Sequence, residues 1–132
     1  MTQTIFDPLR KKHVALTPEE QVRQHLINWL HKERNYPLQL MASEYSLKFN
    51  NKTFRCDIIA FDSTLQPILI VECKAPSVPL TQKVIEQITT YNTILRVKNL
   101  VISNGNTTFA CCFNNSTEKY EYVEDVPFYS SR

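Results

Sequence analysis

Pro67-Ile68-Leu69-Ile70-Val71-Glu72-Cys73-Lys74 begins as the most apolar stretch of this 132-residue chain and ends in two charges. The run of aliphatic residues at 68–71 predicts a strand buried on both faces, because a strand with one solvated face alternates apolar and polar residues. Glu72 and Lys74 are two positions apart, so their side chains project to the same side of that strand. The sequence therefore predicts a charged site at the end of a central strand.

The segment before this strand predicts a β-hairpin. Residues 43–50 and 53–62 alternate polar and apolar side chains, and the Asn50-Asn51 pair between them favours a tight turn. Asp57 lies within the second of these strands, among β-branched and aromatic neighbours. A carboxylate in that setting is costly unless it is paired or bound to a cation.

Asp57, Glu72 and Lys74 form the candidate chemical site. Two carboxylates and a lysine at a strand end could hold Mg²⁺ through oxygen ligands while the lysine positions an attacking water. The structural alternative is an ion pair between Glu72 and Lys74, with Asp57 as an ordinary strand acid. Failure of a divalent metal to bind or stabilise the protein would favour that alternative.

An amphipathic helix is predicted to precede the hairpin, over residues 17–34. Thr17 supplies a hydroxyl cap and Pro18 occupies the first helical position. Glu20 completes a Thr17-x-x-Glu20 capping box, which is a sufficient structural reason for its presence. Glu19 shares the apolar stripe of the helix and could reach toward the sheet. Which of the two acids belongs to the site is left open.

A second helix is predicted after the central strand, over residues 80–97. Gln87 and Tyr91 lie one turn apart on one face of it, where both could hydrogen-bond a phosphate or the site acids. The alternative for this pair is an ordinary amphipathic helix with a tyrosine at its edge. Further strands are predicted at residues 99–103, 107–113 and 118–123.

The order of these elements predicts an α/β fold with a central mixed β-sheet flanked by helices, the simplest way to bury their apolar faces. We predict a single domain over residues 1–132, in which residues 1–16 are an irregular lead-in.

Composition excludes some classes of function. A formal charge of +2 is too small to identify a nucleic-acid binder, and the basic residues near the site, Arg55, Lys74 and Lys83, are scattered as solubilising charges are. The single glycine, Gly105, cannot supply a phosphate-binding loop, so an NTP-driven motor would have to be a separate protein or domain.

The chain shows no targeting or membrane signal, so we expect a cytoplasmic location with no membrane contact. The cysteines form no C-x-x-C pair and are interpreted as buried reduced thiols. They are Cys56, Cys73, Cys111 and Cys112. The three histidines have no ligand spacing and are expected on the surface.

Five segments make the chain resemble a known family. They are Thr17 to Gln24, Arg55-Cys56-Asp57, Val71 to Pro76, Gln87 to Tyr91 and Ser103-Asn104-Gly105. They resemble the N-terminal domain of type I restriction enzyme R proteins, and the segment from Val71 to Pro76 is the most specific. That family belongs to the PD-(D/E)xK nuclease superfamily. The resemblance implies a restriction-endonuclease-like fold, in αβββαβ order with terminal strands added here.

The resemblance implies a nuclease that hydrolyses DNA phosphodiester bonds with Mg²⁺ or Mn²⁺. It implies that Asp57 and Glu72 bind the metal, that Cys73 adds its backbone carbonyl, and that Lys74 is the catalytic lysine. Cys56 stands where the superfamily often has proline. The side chain before the acid binds nothing in such sites, so this departure weakens the motif only slightly.

The resemblance extends to the two helices. Gln87 and Tyr91 match the Q-x-x-x-Y motif of the RecB-like branch, and Glu20, with Glu19 as second choice, matches an acid of the first helix. The family normally attaches this domain to a helicase motor. The expected partners are therefore DNA and a motor or specificity subunit of a restriction system.

Two other functions stay open from the sequence. One is a binding or regulatory module that keeps the nuclease fold without turnover, although intact Asp57, Glu72 and Lys74 argue against it. The other is a small α/β interaction domain in which Glu72 and Lys74 only pair.

Overall fold

The computed structural model describes residues 3–130. In chain order its elements are β1 (Thr4–Asp7), β2 (Lys12–Ala15), α1 (Pro18–Arg34), β3 (Met41–Phe49), β4 (Lys52–Phe61), β5 (Pro67–Cys73), α2 (Gln82–Thr93), β6 (Asn99–Ser103), β7 (Thr108–Asn114) and β8 (Lys119–Val123). A short 3-10 turn at Leu38–Leu40 joins α1 to β3.

Six of the strands form one sheet in the order β3-β4-β5-β6-β7-β8. Every neighbouring pair is antiparallel except β5 and β6, which are parallel. A parallel pair needs a crossover connection, and α2 lies in that connection. This confirms the predicted α/β class with a mixed sheet. The element order is compatible with a restriction-endonuclease-like fold.

The central strand β5 is buried on both faces, as predicted. Leu69 and Val71 pack with α1 in one hydrophobic cluster, the α1 core. Ile70 packs with α2 in a second cluster, the α2 core. All three are 0% exposed. Burial of each such aliphatic side chain is worth about 1.5–3 kcal/mol, so β5 anchors both helical layers.

The predicted turns and caps are confirmed where they depend on local sequence. Asn50 and Asn51 have φ values of 50° and 64°, the left-handed pair of a two-residue hairpin turn. The Thr17 hydroxyl accepts the Glu20 backbone N–H at 3.1 Å and so caps α1. At the other end, Asn35 is left-handed at φ 64°.

Helix α2 is shorter than predicted, at residues 82–93 instead of 80–97. Thr81 caps its start by accepting the Val84 N–H at 3.3 Å. At its end, Leu95 N–H and Arg96 N–H bond to carbonyl groups only three residues back, and Arg96 has φ 54°. The apolar periodicity continues beyond the helix because the following turn still packs on the sheet.

Strand β4 changes faces at Asp57. Cys56 and Ile58 are two positions apart and would share a face in a regular strand, yet Cys56 packs in the α2 core and Ile58 in the α1 core. Glu44 on β3 lies opposite this point and has φ 50°. Pairing between β4 and β5 also ends here, at Ile58 and Val71. Asp57 therefore lies where β4 and β5 begin to separate.

The predicted irregular lead-in is wrong for residues 3–16, because β1 and β2 form an antiparallel hairpin; Met1 and Thr2 lie outside the described residues. A buried carboxylate holds it. Asp7 accepts hydrogen bonds from Leu9 N–H at 2.8 Å, from Ser43 Oγ at 2.7 Å and from Arg10. Leu9 and Arg10 lie in the turn and Ser43 is distant in the sequence. The alternation of polar and apolar residues in the two short strands therefore gives little sign of the hairpin.

The cysteines are free and three of the four are buried. Burial raises the pKa of Cys56 to about 12 and that of Cys111 to about 11, so neither thiol is a nucleophile near neutral pH. The expected burial is confirmed for Cys56, Cys73 and Cys111, and Cys112 is half-buried. Among the described residues, no helix is both long and apolar enough to cross a membrane.

Asp7→Asn should destabilise the protein by about 2 kcal/mol at neutral pH, because it weakens charged hydrogen bonds. Burial alone would raise the pKa of Asp7, but the bonds from Arg10 and Ser43 outweigh it and hold the pKa below its usual 3.8. The stabilisation is therefore complete above roughly pH 5 and is lost as the pH falls through the lowered pKa.

Urea unfolding of both proteins across this range measures the effect. The gap between wild type and Asp7→Asn should shrink below roughly pH 4. Glu124→Gln, at an exposed carboxylate, serves as the control. A gap that stays constant down to low pH would contradict the assignment.

Candidate active site

Two carboxylates meet where β4 and β5 separate. Continuing the register of Ile58 with Val71 places Asp57 directly opposite Glu72. The strands make no backbone bridge at that pair. Instead, Cys73 N–H donates to Asp57 Oδ2 at 2.7 Å. The Asp57 carboxylate thus accepts the hydrogen bond that a backbone carbonyl of β4 would accept in a regular sheet, and it is fixed beside Glu72.

The Glu72 carboxyl group is in an unfavourable setting for a negative charge. Burial raises its pKa to about 8, and the negative charge of Asp57 adds to this effect. The positive charge of Lys74 acts in the opposite direction. Among the smaller causes, hydrogen bonding with Asp57 raises the pKa of Glu72 and hydrogen bonding with Asn92 lowers it. Two carboxylates this close ionise together only if positive charge lies between or beside them.

Predicted site residues from β5 and α2 line one cavity. It has a volume of about 350 Å³ and is lined by Arg55, Glu72, Lys74, Val84, Gln87, Ile88, Tyr91 and Asn92. The structure thereby brings Glu72 and Lys74 together with the Gln87 and Tyr91 pair. A larger cavity of about 550 Å³, between α1 and the β7–β8 pair, contains none of the predicted site residues.

Tyr91 is held against β4. Its ring lies 5.1 Å from the Phe54 ring, centroid to centroid, and its hydroxyl accepts the Arg55 backbone N–H at 3.4 Å. The side chain is still 43% exposed. Tyr91 can therefore meet a molecule in the cavity while its position is set by the sheet. Gln87, one turn earlier, is also exposed.

Asn92 is a site residue that the sequence interpretation missed. It is fully buried, its amide donates to the Ile88 carbonyl at 2.9 Å, and hydrogen bonding with it lowers the pKa of Glu72. Its Oδ1 atom has no hydrogen-bond partner among the residues that the structure describes. The signal was available, because Asn92 lies on the same buried stripe of α2 as Ile85 and Ile88, where a polar side chain is costly.

Arg23 is the second residue that was missed. It is only 4% exposed, and its guanidinium lies 3.3 Å from Asp57 Oδ1 and donates a short hydrogen bond to Glu20 Oε1. A buried arginine needs such partners, so α1 is tied to the carboxylate pair through this one side chain. Its position three residues before Leu26 on the buried face of α1 was the available signal.

The structure separates Glu20 from Glu19. Glu20 is 6% exposed and accepts hydrogen bonds from Arg10, Arg23 and Gln24. It does not line the cavity, and Arg23 links it to Asp57 within the described part of the chain. The capping box is only half formed. Thr17 caps the Glu20 N–H, but the Glu20 carboxylate does not accept the Thr17 N–H, which donates to the Ala15 carbonyl instead. The side chain of Glu19 is 48% exposed and lies 3.5 Å from Arg23.

These residues fit a small hard cation. Within residues 3–130 no group of three or more His, Cys, Asp or Glu side chains is placed to hold a metal, so protein ligands would be few. Mg²⁺ is usually held by one or two carboxylates and keeps several waters. Asp57 and Glu72 supply that number, the pKa of Glu72 is raised, and Asn92 Oδ1 is an acceptor without a donor among residues 3–130.

Glu20→Gln should destabilise the protein by about 3 kcal/mol, because it leaves Arg10 and Arg23 without their shared carboxylate. Glu19→Gln is the matched control, and it should change stability by less than about 1 kcal/mol because the Glu19 side chain is 48% exposed and lies 3.5 Å from Arg23. Chemical denaturation of both variants measures the difference. Equal losses would contradict the placement of Glu20 in the buried network.

A family model described as type I restriction enzyme R protein N terminus matches residues 18–127. The matched span begins at the first residue of α1, includes the whole six-stranded sheet and contains every predicted site residue. A search of curated proteins gave no match for the chain.

Proposed function

The chain belongs to the family of type I restriction enzyme R protein N termini, and we propose that it is a metal-dependent nuclease domain that hydrolyses DNA phosphodiester bonds. Membership of this family supports a role in a restriction system. The observation that carries the finer proposal is the half-buried Asp57–Glu72 pair, with Lys74 in the same cavity as Glu72.

The carboxylate pair is best explained as a cation site. Two acids side by side with a strongly shifted pKa are typical of functional sites, and only Lys74 and Asn92 lower the raised pKa of the half-buried Glu72. Asp57 and Glu72 would hold Mg²⁺ or Mn²⁺, with the Cys73 backbone carbonyl as a further ligand. Bound there, the ion would polarise the scissile phosphate and lower the pKa of a water.

Lys74 is the residue of this chain best placed to act on the attacking water. It follows Glu72 on the same side of β5, and its N–H donates to the Ser103 carbonyl at 2.8 Å, so its backbone is fixed by β6. The ammonium would hold the water by a hydrogen bond and stabilise negative charge that develops on the phosphate.

Gln87 and Tyr91 would orient the substrate. Both line the cavity and both are exposed, so an amide and a phenol hydroxyl are available to phosphate oxygens. Arg23 and Asn92 act behind them as positioning residues. Arg23 donates to Asp57 at 3.3 Å, and the buried Asn92 lowers the pKa of Glu72, so each carboxylate has a buried polar neighbour.

One observation favours a second candidate, a nucleic-acid-binding or regulatory module without turnover. Asp57 already accepts hydrogen bonds from Arg23 and from Cys73 N–H, so its charge is compensated by the protein itself. In that case the fold would serve recognition, and a motor or specificity subunit of the restriction system would be its partner. The nuclease proposal requires that Mg²⁺ or Mn²⁺ binds at Asp57 and Glu72, whereas the binding module does not require a metal.

Mg²⁺ or Mn²⁺ should raise the unfolding temperature of the wild-type chain in a concentration-dependent way, by an increment equivalent to about 2.7 kcal/mol at a hundredfold excess over Kd. Asp57→Asn and Glu72→Gln, which keep the side-chain shapes, should abolish the increment. Glu124→Gln is the control and should retain it. A wild-type chain that shows no metal-dependent stabilisation, with DNA present or absent, would contradict the nuclease proposal.

Lys74→Ala should lower the rate of metal-dependent nicking of supercoiled plasmid by about 10²- to 10³-fold while leaving the metal-dependent stabilisation in place. Lys98→Ala, at an exposed lysine just before β6, is the matched control and should nick at the wild-type rate. Full nicking activity of Lys74→Ala would contradict a catalytic role and would leave this lysine only the role of compensating the charge of Glu72.

A further inference from the structure

The tip of the β3–β4 hairpin extends beyond the rest of the sheet. We call residues 45–56 the basic ribbon. Its strands pair with each other from Tyr45 and Cys56 to Phe49 and Lys52, whereas the pairing of β4 with β5 goes no further toward this tip than Ile58. Four residue steps of ribbon therefore project past the sheet, a length of about 13 Å.

Positive charge is concentrated on this ribbon. It carries Lys48, Lys52 and Arg55 and no acid. These three charges exceed the formal charge of the whole chain, +2, so the remaining residues sum to −1. All three side chains are exposed, and none of them takes part in the salt bridges found among residues 3–130. The small net charge of the whole chain is therefore compatible with a local surface of positive charge on the ribbon.

The ribbon is anchored at the candidate active site. Phe54 is 1% exposed and packs against Tyr91, whose hydroxyl accepts the Arg55 N–H. Arg55 itself lines the cavity that contains Glu72 and Lys74. A two-stranded ribbon is marginal in water by itself, so this packing on α2 is what keeps it ordered.

We propose that the basic ribbon binds the phosphate backbone of DNA beside the bond that is cut; this rests on the proposed nuclease function. Lys48 lies opposite Thr53 and is therefore a diagonal neighbour of Arg55 on one face, at about 7–8 Å. Lys52 lies at the tip on the opposite face, with its ammonium 6.0 Å from the centroid of the Phe54 ring, so the ribbon presents charge on both faces. A DNA strand carries one charge per 3.4 Å of axis, so about 13 Å of ribbon spans roughly four phosphates.

The competing explanation is that the lysines only protect an edge. β3 is the outer strand of the sheet, and charged side chains on edge strands discourage pairing between molecules. Edge protection predicts no effect on DNA affinity. Phosphate binding predicts a change in the salt dependence of affinity, because each phosphate that the protein neutralises releases counterions.

The test is the affinity of the whole chain for a short fluorescent DNA duplex, measured by anisotropy from roughly 50 to 200 mM salt. The ribbon variant is Lys48→Gln/Lys52→Gln/Arg55→Gln. Its slope of log affinity against log salt should be smaller by roughly 2 to 3, about 0.9 for each phosphate that is no longer neutralised, and its affinity at low salt should fall at least about tenfold. The control, Lys32→Gln/Lys98→Gln/Lys119→Gln, removes the same charge from exposed positions elsewhere and should change the affinity much less.

Lys48→Glu provides a second variant with a single exposed substitution, and it should weaken binding in the same direction. Equal reductions of affinity in the ribbon and control variants, an unchanged slope in the ribbon variant, or no salt-dependent binding by the wild type would overturn the proposal.

Glu72→Gln keeps the ribbon and removes the metal ligand. If wild type and Glu72→Gln bind DNA with the same affinity and the ribbon variant binds more weakly, the ribbon proposal holds even if no nicking is observed. The nuclease proposal is tested separately, by the metal titration.

Discussion

The hydrogen bond from Cys73 N–H to the Asp57 carboxylate fixes the geometry on which the candidate site depends. It is formed where β4 and β5 stop exchanging backbone bonds, and it holds Asp57 opposite Glu72. The two acids are then too close to ionise without compensation, as the raised pKa of Glu72 indicates. Arg23, Lys74 and, by our proposal, a divalent cation supply that compensation from different directions.

Charge alternates along a chain of side chains that leads from the N-terminal hairpin to the site. Asp7 binds Arg10, Arg10 binds Glu20, Glu20 binds Arg23, and Arg23 binds Asp57. Removing one member of a buried pair leaves its neighbour uncompensated, so the stability of the hairpin and the position of the metal ligand are coupled. Glu20 therefore influences the site without lining the cavity.

The parts of the fold that depend on local sequence could be predicted. The aliphatic run of β5, the Asn50-Asn51 turn and the Thr17 cap each act within a few residues, and the structure confirms all three. The β1–β2 hairpin was missed because it is held in place by a distant bond, from Ser43 to Asp7. Likewise, the face change of β4 depends on the left-handed Glu44 across the hairpin, which no alternation pattern reveals.

The central claim is that a divalent cation binds between Asp57 and Glu72. Crystals of the chain soaked in Mn²⁺ and measured near the manganese absorption edge test it most directly. The account predicts an anomalous density peak within metal–oxygen bonding distance of both carboxylates, about 2.0–2.4 Å. Crystals saturated with Mn²⁺ that show no such peak, with Asp57 still bonded only to Arg23 and Cys73 N–H, would contradict it.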